Sequence, residues 1–281
     1  MHHISAADGT PIGYEVWGRR DGEPLLLIQG LGVDARGWTM QRLAMGRRFR
    51  CYAVHNRGVG ATSAAEPPYS LFQMADDAVT VLNAEGVESA HVMGASMGGV
   101  ISQIIGVLHP ERTRSLVLAC TASRHHEWRI ELLREWREAV ATSGMSALAG
   151  DGLRWLVGPR VHRRFGLWLN LIGRLILKSD PRGFVAQVDA ILAMSDDLRD
   201  RLHEIRVPTL VITGSQDSLT PVGDAEEMAE LISAAELDVV SGAGHAVMAE
   251  AATAYNRAVV DFLRRATGED DAASRHRAAA S

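Results

Sequence analysis

The chain has 281 residues, of which 47% are hydrophobic and 22% charged, and its formal net charge is −5. This composition is typical of a soluble globular protein of one large domain or of a core with an insert, and the negative charge disfavours a nucleic-acid partner. Because there is neither an apolar run of about 18 residues nor a basic N-terminal stretch followed by an apolar one, we expect no membrane span, no signal peptide and a cytoplasmic location.

The first part of the chain alternates predicted strands with predicted helices. Leu25–Ile28 is apolar on both faces, as is typical of a strand buried in a parallel sheet. Strands are predicted at residues 10–17, 24–29, 49–54, 90–93 and 115–120, and helices at 38–48, 70–86 and directly after residue 98. This alternation predicts an α/β fold with a doubly wound parallel sheet.

The alternation stops between residues 122 and 204, which contain only helix-like segments and four of the six tryptophans. We interpret 122–204 as a helical cap over the carboxyl edge of the sheet. Its helices are predicted at 126–142, 146–157, 160–178 and 182–195. Strands at 208–214 and 236–240 and helices at 222–233 and 246–266 complete the core, and a disordered tail is predicted for 267–281. The predicted division is therefore a core of 1–121 and 205–266, a cap of 122–204 and a tail.

Gly94-Ala95-Ser96-Met97-Gly98 is a G-x-S-x-G motif between a predicted strand and a predicted helix. A serine on such a tight turn is held in a strained backbone conformation with its hydroxyl exposed. The turn also directs the Met97 amide and the positive end of a helix dipole toward any negative charge nearby. Ser96 is therefore a candidate nucleophile.

A serine nucleophile needs a base that is oriented by an acid, and two later segments supply candidates. Asp217 follows the apolar strand that ends at Gly214, and His245 follows the short strand at 236–240. In a parallel sheet the carboxyl ends of the strands meet at one edge, so these side chains can lie beside Ser96. Asp76 and Asp77 lie on a predicted helix, where we expect a solvated or capping role.

These motifs together resemble the α/β-hydrolase family over about residues 10–121 and 205–266. The resemblance depends on Gly30-Leu31-Gly32, Asn56-Arg57-Gly58-Val59-Gly60, Gly94–Gly99, Asp217 and His245. It implies a mostly parallel eight-stranded sheet flanked by helices, with the cap inserted after the sixth strand. It also implies that Ser96 is the nucleophile, that His245 is the base and then the acid, and that Asp217 orients it. The backbone amides of Leu31 and Met97 would form the oxyanion hole.

Two residues depart from the family pattern near the floor of the expected site. Gln29 stands where many members have histidine, and His55 stands where many have aspartate. Glutamine can still form hydrogen bonds, so Gln29 can support the oxyanion loop, whereas His55 is expected to make a different contact.

The sequence predicts a serine hydrolase that acts on a small apolar ester or lactone through an acyl-enzyme, without a cofactor or a metal. Gly30–Ala35 fits a dinucleotide-binding pattern but lacks the acidic residue about 20 positions later, and His125-His126-Glu127 has no further ligand motif. Cleavage of a carbon–carbon bond is an alternative. The family members that catalyse it often have tryptophan directly after the catalytic histidine, and Ala246 at this position disfavours that reaction. A non-hydrolytic biosynthetic enzyme and a small-molecule binding protein on the same fold are further alternatives. Cys51 and Cys120 are expected to be buried free thiols, and the oligomeric state cannot be read from the sequence.

Overall fold

The computed structural model describes residues 1–63, 65–149, 151–165, 179–195 and 197–268. Its centre is an eight-stranded sheet with the strand order β1-β2-β4-β3-β5-β6-β7-β8. The strands are β1 His2–Ser5, β2 Pro11–Gly18, β3 Glu23–Ile28, β4 Phe49–Val54, β5 Ala90–Ala95, β6 Thr113–Ala119, β7 Thr209–Gly214 and β8 Ala235–Val240. The β1–β2 and β2–β4 pairs are antiparallel and all later pairs are parallel. This confirms the predicted α/β fold with a mostly parallel eight-stranded sheet.

Within the described ranges the α-helices, in chain order, include α1 Arg42–Gly46, α2 Leu71–Ala84, α3 Met97–Leu108, α4 Glu127–Ser143, α5 Asp151–Leu156, α6 Pro181–Leu192, α7 Asp197–Arg201, α8 Val222–Leu231, α9 Val247–Glu250 and α10 Ala252–Ala266. Short 3₁₀ turns lie at Ala35–Trp38, Gly60–Thr62, Pro110–Arg112, Met145–Ala149 and Leu202–Glu204. No helix in the described ranges is both long enough and apolar enough to cross a membrane.

Successive side chains of a strand point to opposite faces of the sheet, and helices pack on both faces, so both faces are buried. Leu26 and Ile28 of β3 pack in one core with α2, α3 and α8. Leu25 and Leu27 of the same strand pack in a second core with α1, α9 and α10. A strand covered on both sides has no polar face, which explains the continuous apolar runs in the sequence.

The chain between β6 and β7 contacts loops that follow three of the strands. Gln187 of α6 bonds to Gly32 after β3 and to Arg57 after β4. The carbonyl of Leu156 accepts a hydrogen bond from the amide of Ala246, after β8. The described helices of this segment therefore lie beside the carboxyl ends of the strands.

Several local predictions were wrong. No strand was predicted before residue 10, where the structure has β1. The region of the predicted helix at 38–48 contains the end of a 3₁₀ turn and the short α1. The predicted helix at 246–266 is interrupted at Ala251, and that at 146–157 divides into a 3₁₀ turn and α5. Most of the helix predicted at 160–178 and nearly all of the predicted tail lie outside the described residues.

Asp77 is neither solvated nor a helix cap, contrary to the prediction. It is 5% exposed, and both of its carboxylate oxygens accept hydrogen bonds from Arg57, at 2.7 and 3.0 Å. A buried arginine must be paired, and no local pattern indicated that this loop residue would be buried against α2. Asp76 is exposed and accepts a hydrogen bond from His109. The prediction for the cysteines is confirmed, since Cys51 and Cys120 are both buried and free.

Candidate active site

Ser96 occupies a strained turn between β5 and α3. Its φ and ψ are 54° and −121°, in a region that non-glycine residues rarely adopt. The turn is tight because glycines allow backbone contact: a Cβ on Gly94 would lie 2.1 Å from the Gly98 carbonyl oxygen, and one on Gly98 would lie 2.2 Å from that of Ile28. The half-buried Ser96 side chain lines a cavity.

The three residues chosen from distant parts of the sequence meet at this turn. His245 Nε2 lies 3.0 Å from Ser96 Oγ, and His245 Nδ1 lies 2.9 Å from Asp217 Oδ2. Because an ionised carboxylate only accepts hydrogen bonds, Nδ1 carries the proton toward Asp217 and Nε2 is left to accept from the serine hydroxyl. In this tautomer the imidazole can remove the proton of Ser96.

The Asp217 carboxylate is fixed by the loop that follows it. Its Oδ1 accepts hydrogen bonds from the amides of Leu219 and Thr220, at 2.9 and 2.8 Å, and its Oδ2 accepts one from the Thr220 hydroxyl at 2.8 Å. Burial by itself raises the pKa of Asp217, but the charge of His245 and the hydrogen bonds from His245 and Thr220 outweigh it, so the pKa lies below its ordinary value. Asp217 therefore stays ionised at neutral pH.

Thr220 was not singled out from the sequence. Its hydroxyl lies 2.8 Å from Asp217 Oδ2 and 3.2 Å from His245 Nδ1, so it contacts both partners. Asp and Thr are both common in turns because their side chains bond to nearby backbone, and this weak signal in the segment after β7 could have drawn attention to Thr220.

The predicted oxyanion amides belong to Leu31, which follows Gly30, and to Met97, which follows Ser96. Gly30 packs directly on Ser96, because a Cβ on Gly30 would lie 3.0 Å from the Cβ of Ser96. Leu31 and Met97 both line the same cavity as Ser96. Within the described residues neither amide donates a hydrogen bond to the protein, which leaves both N–H groups available to a ligand.

Gln29 and His55, the two residues that depart from the family pattern, form hydrogen bonds with different parts of the chain. Gln29 Oε1 accepts a 3.2 Å hydrogen bond from the amide of Gly30, at the base of the loop. His55 instead accepts a 3.3 Å hydrogen bond at Nδ1 from the amide of Ala61, and burial is the main cause that lowers its pKa. The contact between the two loops is made by Asn56, whose side-chain amide donates to the Gln29 carbonyl at 2.9 Å.

Gln187 of α6 was also missed by the sequence reasoning. Its side chain is fully buried; Oε1 accepts from the Gly32 amide at 2.8 Å, and Nε2 donates to the Arg57 carbonyl at 2.7 Å. Ser179 supports the same loop by donating to the Gly32 carbonyl at 2.6 Å. Gly32 follows Leu31 directly, so α6 holds the loop that carries one of the two free amides.

The cavity beside Ser96 has a volume of about 310 Å³. Besides the residues already described, its wall is mainly apolar and includes residues of α3, α4, α5, α6, the 3₁₀ turn before α5 and the segment after β6. Among them are Val100, Leu133, Trp136, Met145, Leu148, Leu156, Phe184 and Ile191. A cavity of this kind suits a small, mainly apolar molecule.

Glu250 joins the loop of His245 to the segment after α5. Its carboxylate accepts hydrogen bonds from the amides of Gly244, at 3.1 Å, and Gly158, at 3.0 and 3.1 Å. Burial is the main cause that raises its pKa. In the described part of the chain, no group of three or more His, Cys, Asp or Glu side chains is arranged to hold a metal ion.

Comparison with known proteins identifies a family for most of the chain. The α/β-hydrolase fold family matches residues 23–252. Among named proteins, 3-oxoadipate enol-lactonase 2 of Acinetobacter baylyi is 26% identical, over 92% of this chain and 95% of its own. A protein of Azorhizobium caulinodans, RutD, named as a candidate carbamate hydrolase, is 30% identical, over 89% of this chain and 93% of its own.

Solved structures show the same relationship. The enol-lactonase from Burkholderia xenovorans superposes with a TM-score of 0.85 at 28% identity, covering 93% of this chain and 99% of that one. A thermophilic esterase from Thermogutta terrifontis has a TM-score of 0.85 at 26% identity, covering 95% and 99%.

Proposed function

The chain belongs to the α/β-hydrolase family, and on that premise we propose that it is a serine hydrolase that cleaves a small apolar carboxylic ester or lactone. The observation that carries the proposal is the position of His245, whose two ring nitrogens lie 3.0 Å from Ser96 Oγ and 2.9 Å from Asp217 Oδ2. The similarity to proteins named as enol-lactonases and as an esterase supports the same class of substrate.

In the first half-reaction Ser96 Oγ attacks the carbonyl carbon of the substrate while His245 Nε2 takes its proton. The negative charge that develops on the carbonyl oxygen is stabilised by the Leu31 and Met97 amides, at about 3 kcal/mol for each donor. The carbon–oxygen bond to the alcohol then breaks, and the protonated His245 returns the proton to the leaving alkoxide. Asp217 stabilises the imidazolium while it is charged.

In the second half-reaction water replaces the alcohol. His245 removes a proton from the water, whose oxygen attacks the acyl carbon, and the same two amides stabilise the second oxyanion. Release of the acid returns the proton to Ser96. A lactone follows the same two steps, but its alcohol stays attached to the acyl chain.

The test is a burst experiment with p-nitrophenyl butyrate. We expect one equivalent of p-nitrophenol to be released per enzyme before the steady state, and Ser96→Ala to lower kcat by about 10⁴-fold or more. A fluorophosphonate should label Ser96, as detected by the mass of its peptide. Ser63 is exposed, so Ser63→Ala is the matched control and should retain both the burst and the labelling.

The proposal is wrong if the protein neither turns over any of a panel of esters and lactones nor reacts with the fluorophosphonate at Ser96. Binding of an intact ligand without turnover would identify a small-molecule binding protein instead.

A further inference from the structure

A buried ion pair forms part of the wall of the cavity beside Ser96. Arg129 of α4 lines the cavity, and its Nη2 donates to Oδ2 of Asp224 of α8. The two side chains are 3% and 4% exposed. The positive charge of Arg129 is therefore neutralised inside the protein, in the wall of the cavity that Ser96 also lines.

The remaining contacts of Arg129 hold it in this position. Its Nε donates to the Leu219 carbonyl at 2.8 Å, and its Nη1 donates to the Arg124 carbonyl at 2.9 Å. Three of the five N–H bonds of a guanidinium group are thus engaged by the protein. Asp224 also lies 3.5 Å from His126 Nε2. Its carboxylate thus faces two basic side chains and fixes the guanidinium from one side.

The rest of the described wall gives no second permanent charge. Of the described lining residues, Arg129 alone carries one. The other titratable nitrogen groups in the wall are the imidazoles of His125 and His245, and His245 is paired with Asp217. The walls otherwise consist largely of side chains such as Leu133, Trp136, Met145 and Leu148. At about 310 Å³, the cavity lies at the lower end of the range of about 300–1,000 Å³ for small-molecule sites.

This inference rests on the proposed function. We propose that the cavity selects substrates whose acyl group is short, apolar and uncharged, and that Asp224 sets this preference by neutralising Arg129. The acyl group stays attached to Ser96 until water releases it, so it occupies the cavity through both steps. A carboxylate on that group would lose its hydration without gaining an unpaired cation, because Arg129 is already paired with Asp224.

The first experiment compares two p-nitrophenyl esters of equal chain length. One is the hexanoate, and the other is the monoester of adipic acid, which carries a carboxylate at the far end. We expect the kcat/KM of the wild-type protein to be at least about 100-fold higher for the hexanoate, with the rate of Ser96→Ala subtracted for each ester. Values within about tenfold of each other, or a faster charged ester, overturn the inference. Hydrolysis of neither ester also overturns the inference, whereas the proposed function is judged separately by the panel of esters and lactones and by the labelling of Ser96.

The second experiment removes the neutralising charge with Asp224→Asn, which retains the size of the side chain. The released charge of Arg129 should then attract the substrate carboxylate, and the ratio of kcat/KM between hexanoate and adipate monoester should fall by about tenfold or more. Asp189 forms an exposed ion pair with Arg137 on the same group of helices. Asp189→Asn is therefore the matched control and should leave the ratio unchanged. A folded Asp224→Asn protein with the wild-type ratio would contradict the assignment.

A third variant covers the case in which Asp224→Asn does not fold because Arg129 is left buried and unpaired. Arg129→Met combined with Asp224→Leu removes both charges together. Proteins commonly tolerate the replacement of a buried ion pair by apolar side chains of similar volume. Since the cavity of this variant also has no unpaired cation among its described lining residues, the hexanoate should remain preferred by a ratio within about threefold of the wild type. Loss of the preference in this variant would overturn the inference.

Discussion

At the scale of single residues, the candidate site depends on side chains that hold the candidate reacting groups in place through hydrogen bonds. Thr220 contacts both Asp217 and His245. Gln187 uses both ends of its side-chain amide to join the Gly32 amide to the Arg57 carbonyl. Both supporting side chains are buried, so losing their bonds would leave polar groups unsatisfied inside the protein.

We predict that Gln187→Met lowers kcat for a neutral ester by about 10- to 100-fold, because a loop displaced by about 1 Å stabilises the oxyanion poorly. KM should change much less, since the apolar walls of the cavity remain. The measurement is steady-state kinetics together with thermal unfolding. Gln73, which makes a surface hydrogen bond to Asp8, gives the control Gln73→Met. If Gln187→Met lowers Tm but leaves kcat unchanged, Gln187 only contributes packing.

At the scale of elements, α6 lies directly against the loop after β4. Gly183 makes this close approach possible, since a Cβ at that position would lie 2.2 Å from the Gly58 carbonyl oxygen. The same helix carries Gln187 one turn later. The spacing between α6 and this loop therefore decides whether Gln187 can reach Gly32.

Gly183→Ala should move α6 away from the loop. We expect a loss of about 1–3 kcal/mol in the free energy of unfolding from overpacking, and a fall in kcat in the same direction as for Gln187→Met. Urea unfolding and ester kinetics are the measurements. A Cβ added at Gly223 of α8 would have no neighbouring heavy atom within 4 Å, so Gly223→Ala is the matched control and should be neutral or slightly stabilising. Equal behaviour of the two variants would contradict the proposed close packing.

At the scale of the whole molecule, the centre of the sheet contains a histidine that the fold keeps uncharged. His91 of β5 lies 2.7 Å from the Ser115 hydroxyl of β6 through Nδ1, and its ring meets that of Phe49 edge to face at 5.9 Å. Burial lowers its pKa from 6.5 to about 4. Between these values the unfolded chain binds a proton at this position and the folded protein does not, so stability falls as the pH falls.

His91→Gln should therefore weaken the dependence of stability on pH. Wild type should lose up to about 3 kcal/mol more than the variant between pH 6.5 and 4, as expected from a shift of this size. Urea unfolding at a series of pH values measures this difference. His203 is exposed, and His203→Gln serves as the control that should follow the wild type. Parallel curves for wild type and His91→Gln would show that His91 is not kept neutral by folding.

The sequence by itself determined the alternation of strands and helices and the choice of Ser96, Asp217 and His245. Residues that follow buried strands meet at the carboxyl edge of a parallel sheet, so their chemistry could be deduced from local patterns. The roles of these residues remain predictions, as do the oxyanion amides of Leu31 and Met97 and the division into core and cap.

Only the tertiary structure decided which side chains support the site and how charges are paired around it. Gln187 and Gly32 are 155 positions apart, and Arg129 and Asp224 are 95 apart. Asp77 was wrongly expected to be solvated because a helix position alone does not show that Arg57 will be buried against it. Periodicity tells which face of an element is buried, but the partner of a buried polar group depends on how distant elements pack, and that is set by the whole core.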